Sequence, residues 1–137
     1  MVQKGKTVFV SKKRKTAIAK VVLKPGEGRI KVNNVPLEYA FPEVARLRIR
    51  EVLELAGEDV WRKVDFTASI NGGGIISQAD ALRMAIAEGL VRWTRSKKLK
   101  SVFVDVFGKS IFWDPRQREP KKFGGPGARR RKQKSYR

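Results

Sequence analysis

The chain of 137 residues contains no cysteine and no histidine. Without cysteine it has no disulfide framework, no thiolate zinc site and no cysteine nucleophile. Without histidine it also lacks the imidazole base of the common catalytic triads. Because these frequent catalytic and metal-binding groups are missing, we expect a protein that is not an enzyme and that needs no metal or cofactor.

Long apolar runs are also missing from the sequence. No segment approaches the roughly 18 apolar residues of a membrane-spanning helix. The first 15 residues contain no apolar stretch of the kind that a signal peptide carries. The sequence therefore predicts a cytoplasmic chain that does not cross a membrane.

Positive charge is abundant, with 32 Lys and Arg against 13 Asp and Glu and a net charge of +19. Residues 1–15 carry +6, residues 16–113 carry +5 and residues 114–137 carry +8. Such an excess repels itself unless a polyanion lies nearby, which favours nucleic acid as the partner. The charge pattern predicts a basic N-terminal arm (1–15), a globular domain (16–113) and a basic C-terminal tail (114–137).

The tail has few apolar residues but three prolines and three glycines. Such a segment buries too little to offset its ordering entropy, so we expect it to be disordered alone and ordered on nucleic acid. A tail that serves only solubility is the alternative. Near the tail, Trp113 and Phe123 are candidates for stacking on bases.

Two clusters of cations are candidate phosphate contacts, Lys12-Lys13-Arg14-Lys15 and Arg129-Arg130-Arg131-Lys132. The first cluster precedes a predicted strand, so a localisation signal or a charged strand flank is its alternative interpretation. The second cluster lies in the tail, which we do not expect to fold alone, and this strengthens the nucleic-acid interpretation.

Alternating apolar residues predict strands at 16–24, 29–33 and 64–71, with the first two joined as a hairpin through Pro25-Gly26-Glu27-Gly28. Thr7 to Val10 fits a further short strand. The order of elements predicts an α+β fold with helices on one face of a sheet.

Helical spacing predicts a helix that begins at Pro42 and stops at Gly57. Ser77 and Asp80 are spaced like a capping box at the start of a second helix. Residues 99–106 fit either a short third helix or a strand.

The triple glycine Gly72-Gly73-Gly74 stands between a predicted strand and a helix. Backbone N–H groups at such a place are able to cradle a phosphate. The Lys-Ser or Lys-Thr pair of a Walker loop does not follow, and the G-x-G-x-x-G pattern is absent. The spacing favours a tight turn with positive φ over nucleotide binding, and leaves an RNA backbone phosphate open.

Several segments resemble the small-subunit ribosomal protein S-nine family, in order from residue 11 to the end. They are Lys13–Ala19, Pro25–Asn33, Gly72–Gly74 with Ser77–Ala79, Asp114 with Arg116, Glu119–Lys122 and Gln133–Arg137. The last five residues are similar to the archaeal and eukaryotic branch, and the short chain favours an archaeal-type member. The sequence departs from the family pattern at Phe107–Trp113 and at Ser77, where glycine is frequent.

The resemblance implies a split β-α-β sheet, a place in the head of the small ribosomal subunit, and a structural role in translation. It implies that the chain binds rRNA, contacts neighbouring head proteins, and takes no small-molecule substrate. The implied rRNA contacts are Lys12, Lys13, Arg14, Lys15, Arg116, Arg118, Lys121, Lys122, Arg129, Arg130, Arg131 and Lys132. The resemblance also implies that the tail extends to peptidyl-site tRNA, with Lys134, Tyr136 and Arg137 as contacts.

Two functions from other classes are alternatives. A small phosphotransfer enzyme would use the triple glycine, and a free nucleic-acid chaperone or chromatin-type protein would use the charge alone. The missing Walker residues and histidines argue against the first, and the ordered matches to one family argue against the second.

Overall fold

A computed structural model describes residues 6–131 of the chain. The strands are β1 (Val8–Arg14), β2 (Ala17–Pro25), β3 (Ile30–Val32), β4 (Val35–Pro36) and β5 (Val64–Asn71). The helices are α1 (Leu37–Ala40), α2 (Glu43–Ala56), α3 (Glu58–Trp61), α4 (Ile75–Thr94) and α5 (Lys97–Phe107), followed by a 3₁₀ turn at Lys109–Ile111. The α+β class is confirmed.

The five strands form one sheet in the order β1-β2-β5-β3-β4. All neighbours are antiparallel except β3 and β5, which pair in parallel. The parallel strands β3 and β5 and the helices between them in the chain form a β-α-β unit. Because these two strands hydrogen-bond directly to each other, no further strand lies between them, unlike in the split β-α-β sheet that the resemblance implies. Residues 8–14 of the predicted N-terminal arm form the edge strand β1, which pairs with β2 as far as Arg14.

The predicted hairpin between 16–24 and 29–33 is wrong, because β5 lies between β2 and β3. The turn after β2 is tied to β5 instead. Asp65 accepts the backbone N–H groups of Glu27 at 2.9 Å and Arg29 at 3.0 Å. A Cβ at Gly26 would lie 2.0 Å from the Asp65 carboxyl carbon, so a side chain there would have to displace this carboxylate.

Alternate residues of each long strand are buried on one face of the sheet, where the helices pack. The central helix α4 contacts β1, β2 and α2, and its middle is almost wholly buried. At Gly89 the helix comes so close to β2 that a Cβ would lie 2.8 Å from a methyl carbon of Leu23. The packing therefore leaves the opposite face of the sheet without a helix in the described part of the chain.

The turn before α4 is tight, as the glycines predict. Gly72 and Gly73 have φ angles of 77° and 68°. A Cβ at Gly72 would lie 2.5 Å from the Thr16 carbonyl oxygen, so the turn sits directly on the β1–β2 connection. The predicted capping box is wrong, because α4 already begins at Ile75, and Asp80 pairs with Arg48 of α2 at 2.9 Å.

The helix predicted between Pro42 and Gly57 is confirmed as α2, with Pro42 one residue before its start and Gly57, which has a φ of 92°, as its C-cap. Residues 99–106, which fit either a helix or a strand, belong to the helix α5. Ser96 caps α5 by accepting the Leu99 N–H at 3.2 Å. Among residues 6–131, no helix is long and apolar enough to span a bilayer.

Candidate nucleic-acid interface

We call the face of the sheet away from the helices the open face. Four exposed lysines lie on it: Lys13 of β1, Lys20 and Lys24 of β2, and Lys31 of β3. The nearest carboxylate on this face is Asp65, which is half-buried and already accepts two backbone N–H groups. The open face is therefore strongly basic.

Hydroxyl groups lie beside these lysines in the sheet register. Lys20 stands directly between Ser11 of β1 and Ser69 of β5. Thr67 of β5 stands next to Lys31 of β3. Ammonium and hydroxyl groups are the types of side chain that contact phosphate and sugar in nucleic-acid complexes. Of these four lysines only Lys13 is among the contacts predicted from the sequence, although the alternation of β2 already places Lys20 and Lys24 on one face.

The first predicted basic cluster is divided between the two faces of β1, because side chains alternate along a strand. Lys13 points to the open face, and Lys15 is exposed in the following turn with a φ of 54°. Lys12 points the other way. Its ammonium nitrogen lies 2.5 Å from a Glu88 carboxylate oxygen of α4 and donates to the Phe112 carbonyl oxygen at 2.6 Å.

Arg14 also points to the helix side, where it meets the first residues of the tail. Its Nε lies 3.3 Å from an Asp114 carboxylate oxygen, and its Nη1 donates to the Arg116 carbonyl oxygen at 3.0 Å. Arg116 donates to the same carboxylate at 2.9 Å and 2.7 Å. We call Arg14, Asp114 and Arg116 the tail-root clasp, since they fix the start of the tail to the edge strand.

The clasp changes the acidity of its carboxyl group. The pKa of Asp114 is lowered from 3.8 to about 2, and hydrogen bonds from the Arg116 side chain are the largest cause. Burial opposes this shift, whereas the Arg116 backbone N–H and the charges of Arg14 and Arg116 contribute to it. Hydrogen bonds and positive charges favour the ionised carboxylate, so the clasp is intact at neutral pH.

Beyond the clasp, the described part of the tail contains neither helix nor strand. Glu119 pairs with Lys122 at 3.1 Å and with Arg129 at 2.9 Å, which folds the chain back on itself. The predicted extended path of the tail therefore stays a prediction. The exposed tail cations up to residue 131 are Arg116, Arg118, Lys121, Lys122, Arg129, Arg130 and Arg131.

The predicted aromatic stacking groups are exposed, with Trp113 72% and Phe123 fully accessible. Trp93, by contrast, is half-buried and packs against the core, with the Lys6 ammonium 4.6 Å from its ring centre. Base stacking by Trp113 and Phe123 stays a prediction. The predicted contacts Lys132, Lys134, Tyr136 and Arg137 lie outside the described residues.

The site therefore consists of cations spread over a sheet face, a turn and a tail. Such an arrangement is typical of a protein that binds a polyanion over a broad surface.

Comparison with known proteins narrows this class. The sequence matches the family described as ribosomal protein S9/S16 over residues 12–137. It is 50% identical to "Small ribosomal subunit protein uS9" of Desulfurococcus amylolyticus over 134 residues, which are 98% of this chain and 95% of that protein. The protein of the same name from Methanothrix thermoacetophila is 46% identical over 132 residues, 96% of this chain and 99% of that protein.

A third protein of that name, from Halobacterium salinarum, is 46% identical over 127 residues, 93% of this chain and 96% of that protein. All three organisms are archaea. The chain belongs to the ribosomal protein S9/S16 family, and the predicted resemblance is confirmed.

Proposed function

We propose that the chain is a structural component of the small ribosomal subunit, that it binds rRNA in the subunit head, and that it supports translation. The observation that carries this proposal is the family match over residues 12–137, together with near-complete coverage of the archaeal relatives. The charge of +19 fits a polyanionic partner. Neighbouring head proteins are further partners, and the cytoplasm is the expected compartment.

The rRNA contacts are assigned to cations that are exposed. These are Lys13 and Lys15 at the β1–β2 connection, and Arg116, Arg118, Lys121, Lys122, Arg129, Arg130 and Arg131 in the tail, with Lys132 beyond the described residues. Lys12 and Arg14, with side chains only 19% and 11% exposed, hold the protein's own chain together. Their proposed contribution to RNA binding is indirect, since they position the tail.

The end of the tail is proposed to reach peptidyl-site tRNA through Lys134, Tyr136 and Arg137. The 24 residues from Asp114 span at most about 80 Å at about 3.3 Å per residue, so a fixed root still leaves a remote site within reach. A guanidinium donates two parallel hydrogen bonds to a phosphate, which suits Arg137 to the backbone of the anticodon stem-loop. This contact would position tRNA without reading its sequence.

Sedimentation of a cell lysate tests the proposed function. The untagged full-length chain is followed through a sucrose gradient, with and without high salt. We expect it to co-migrate with the small subunit, because its cations are neutralised there. A pool that stays free or sediments with DNA would contradict the proposal and support the chaperone or chromatin-type alternative.

A nucleotide titration of the full chain separates the proposal from the phosphotransfer alternative. Gly72 and Gly73 form a tight turn that packs against Thr16 and Ala17. We therefore expect that the triple glycine does not bind ATP and that the titration shows no saturable binding. Saturable binding that Gly73→Ala abolishes would support the enzyme instead.

A further inference from the structure

We infer that the open face of the sheet is an rRNA-binding surface in its own right, distinct from the tail, and that it docks on the sugar–phosphate backbone of the RNA. This inference rests on the proposed function, because it names where on the domain the RNA of the subunit would bind.

Some cations on the helix side are matched with acids: Arg48 with Asp80, Arg62 with Glu58, and Arg92 with Glu88. In the part of the chain that the structure describes, the exposed lysines of α5 are not matched in this way, so the open face differs in having all its lysines unpaired on a surface that no described helix covers. Within residues 6–131, none of Lys13, Lys20, Lys24 and Lys31 makes an ion pair or a side-chain hydrogen bond. The open face thus has positive charge that the protein itself does not neutralise.

The arrangement of these lysines suits a long polyanion better than a single small anion. Strands lie about 4.8 Å apart and residues rise about 3.3 Å along a strand, so Lys13 and Lys20 are about 8 Å apart at their Cα atoms. Lys20 and Lys24 on the same strand are about 13 Å apart on the same scale. Charges spread in this way reach several phosphates of one backbone at once.

The remaining side chains on the open face favour RNA over a protein partner. Ser11, Thr67 and Ser69 offer hydroxyl groups that can bond phosphate or ribose oxygens. The most exposed apolar groups are Phe9 on the outer strand, opposite the half-buried Val22, and Ile18 near the turn. Lys20 lies between Val22 and Ile18 on this face of β2, so these groups form no continuous patch. The core of a protein interface is depleted of charge and enriched in aromatic groups, which this lysine-rich surface is not.

Directed hydroxyl-radical probing tests the inference, and the cysteine-free sequence makes a single attachment site possible. An iron chelate is attached to Ser69→Cys on the open face, in full-length protein assembled into small subunits. The matched control is Ser101→Cys, an exposed serine on α5. We expect Ser69→Cys to direct strong cleavage to a short set of rRNA nucleotides, and Ser101→Cys to direct much weaker cleavage.

A charge variant gives an independent readout on binding of the full chain to purified small-subunit rRNA. Replacing Lys13, Lys20, Lys24 and Lys31 by Gln removes four cations from the open face. Every phosphate that is no longer neutralised makes the negative slope of log K against log salt shallower by about 0.7–0.9, so the magnitude of the slope should fall by about 3. The control replaces four exposed lysines on and after α5, Lys97, Lys98, Lys100 and Lys109, and should leave the slope nearly unchanged.

The outcomes separate this inference from the proposed function. If Ser69→Cys protein enters the subunit but its chelate cleaves no rRNA, or cleaves only a neighbouring protein, the open face is not an RNA surface while the proposed function stands. Equal slopes for the two lysine variants would overturn the inference as well. If unsubstituted protein does not enter the subunit, the proposed function itself fails.

Discussion

Replacement of Asp114 by Asn tests the tail-root clasp. The substitution keeps an acceptor oxygen at the same place but removes the negative charge that faces Arg14 and Arg116. The interval between 3.8 and about 2 in the pKa of Asp114 corresponds to at most about 2.5 kcal/mol of unfolding free energy. The main hydrogen-bond donor to Asp114, Arg116, has a side chain that is 73% exposed, so water and ions screen its charge and we expect a loss of about 1 kcal/mol.

The pH dependence of this loss has a defined direction. Because folding lowers the pKa of Asp114, its carboxylate stabilises the protein fully above about pH 4 and loses this effect as the pH falls through about 2. Urea unfolding of Asp114→Asn and of the unsubstituted protein should therefore differ by about 1 kcal/mol at pH 7 and converge near pH 2.

The control for this measurement is Asp105→Asn, which changes an exposed carboxylate on α5. We expect it to alter the unfolding free energy by less than about 0.5 kcal/mol at either pH. The reasoning is refuted if Asp114→Asn unfolds with the same free energy as the unsubstituted protein at pH 7, or if its difference is undiminished at pH 2.

Three further predictions concern the turn, the tail and its end. Gly73→Ala should lower the free energy of unfolding by about 1–2 kcal/mol, because residue 73 has a φ of 68° and its new Cβ would lie 2.9 Å from the Cβ of Ala17. The control Gly74→Ala places its Cβ in open space and should leave thermal unfolding nearly unchanged. Deletion of residues 123–134 should flatten the negative slope of log K for rRNA against log salt by about 0.7–0.9 for each phosphate that the shortened chain no longer neutralises, and an unchanged slope would mean that these cations do not touch phosphate. Removal of Arg137 should weaken retention of all peptidyl-site tRNAs alike in filter-binding assays without impairing subunit assembly, and a loss confined to particular tRNAs would count against a backbone contact.

The elements with strong periodicity could be predicted from the sequence. The alternation of β2 and β5 and the helical spacing of α2 and α4 depend on which residues are buried, and burial imposes those periods directly. The neighbours of β3 could not be predicted in the same way. Its position beside β5 depends on contacts between remote residues, such as Asp65 with the backbone N–H groups of Glu27 and Arg29.

The candidate site was predictable in its charge but not in its geometry. The basic clusters and the tail are visible in the composition. The inward direction of Lys12 and Arg14 is not, because their partners Glu88 and Asp114 are about 76 and 100 residues away in the chain. The basic residues also concealed the full length of β1, whose apolar signal ends at Val10 while its pairing with β2 continues to Arg14.

Mapping of protein–RNA cross-links in purified small subunits tests the central claim most directly. Subunits that contain the full-length chain are irradiated, and peptides joined to nucleotides are identified by mass spectrometry. We expect adducts in the strands β1 and β2, through the open face, and in residues 116–131 of the tail. Adducts confined to the exposed surface of α5, or a chain that is absent from the subunit, would contradict it.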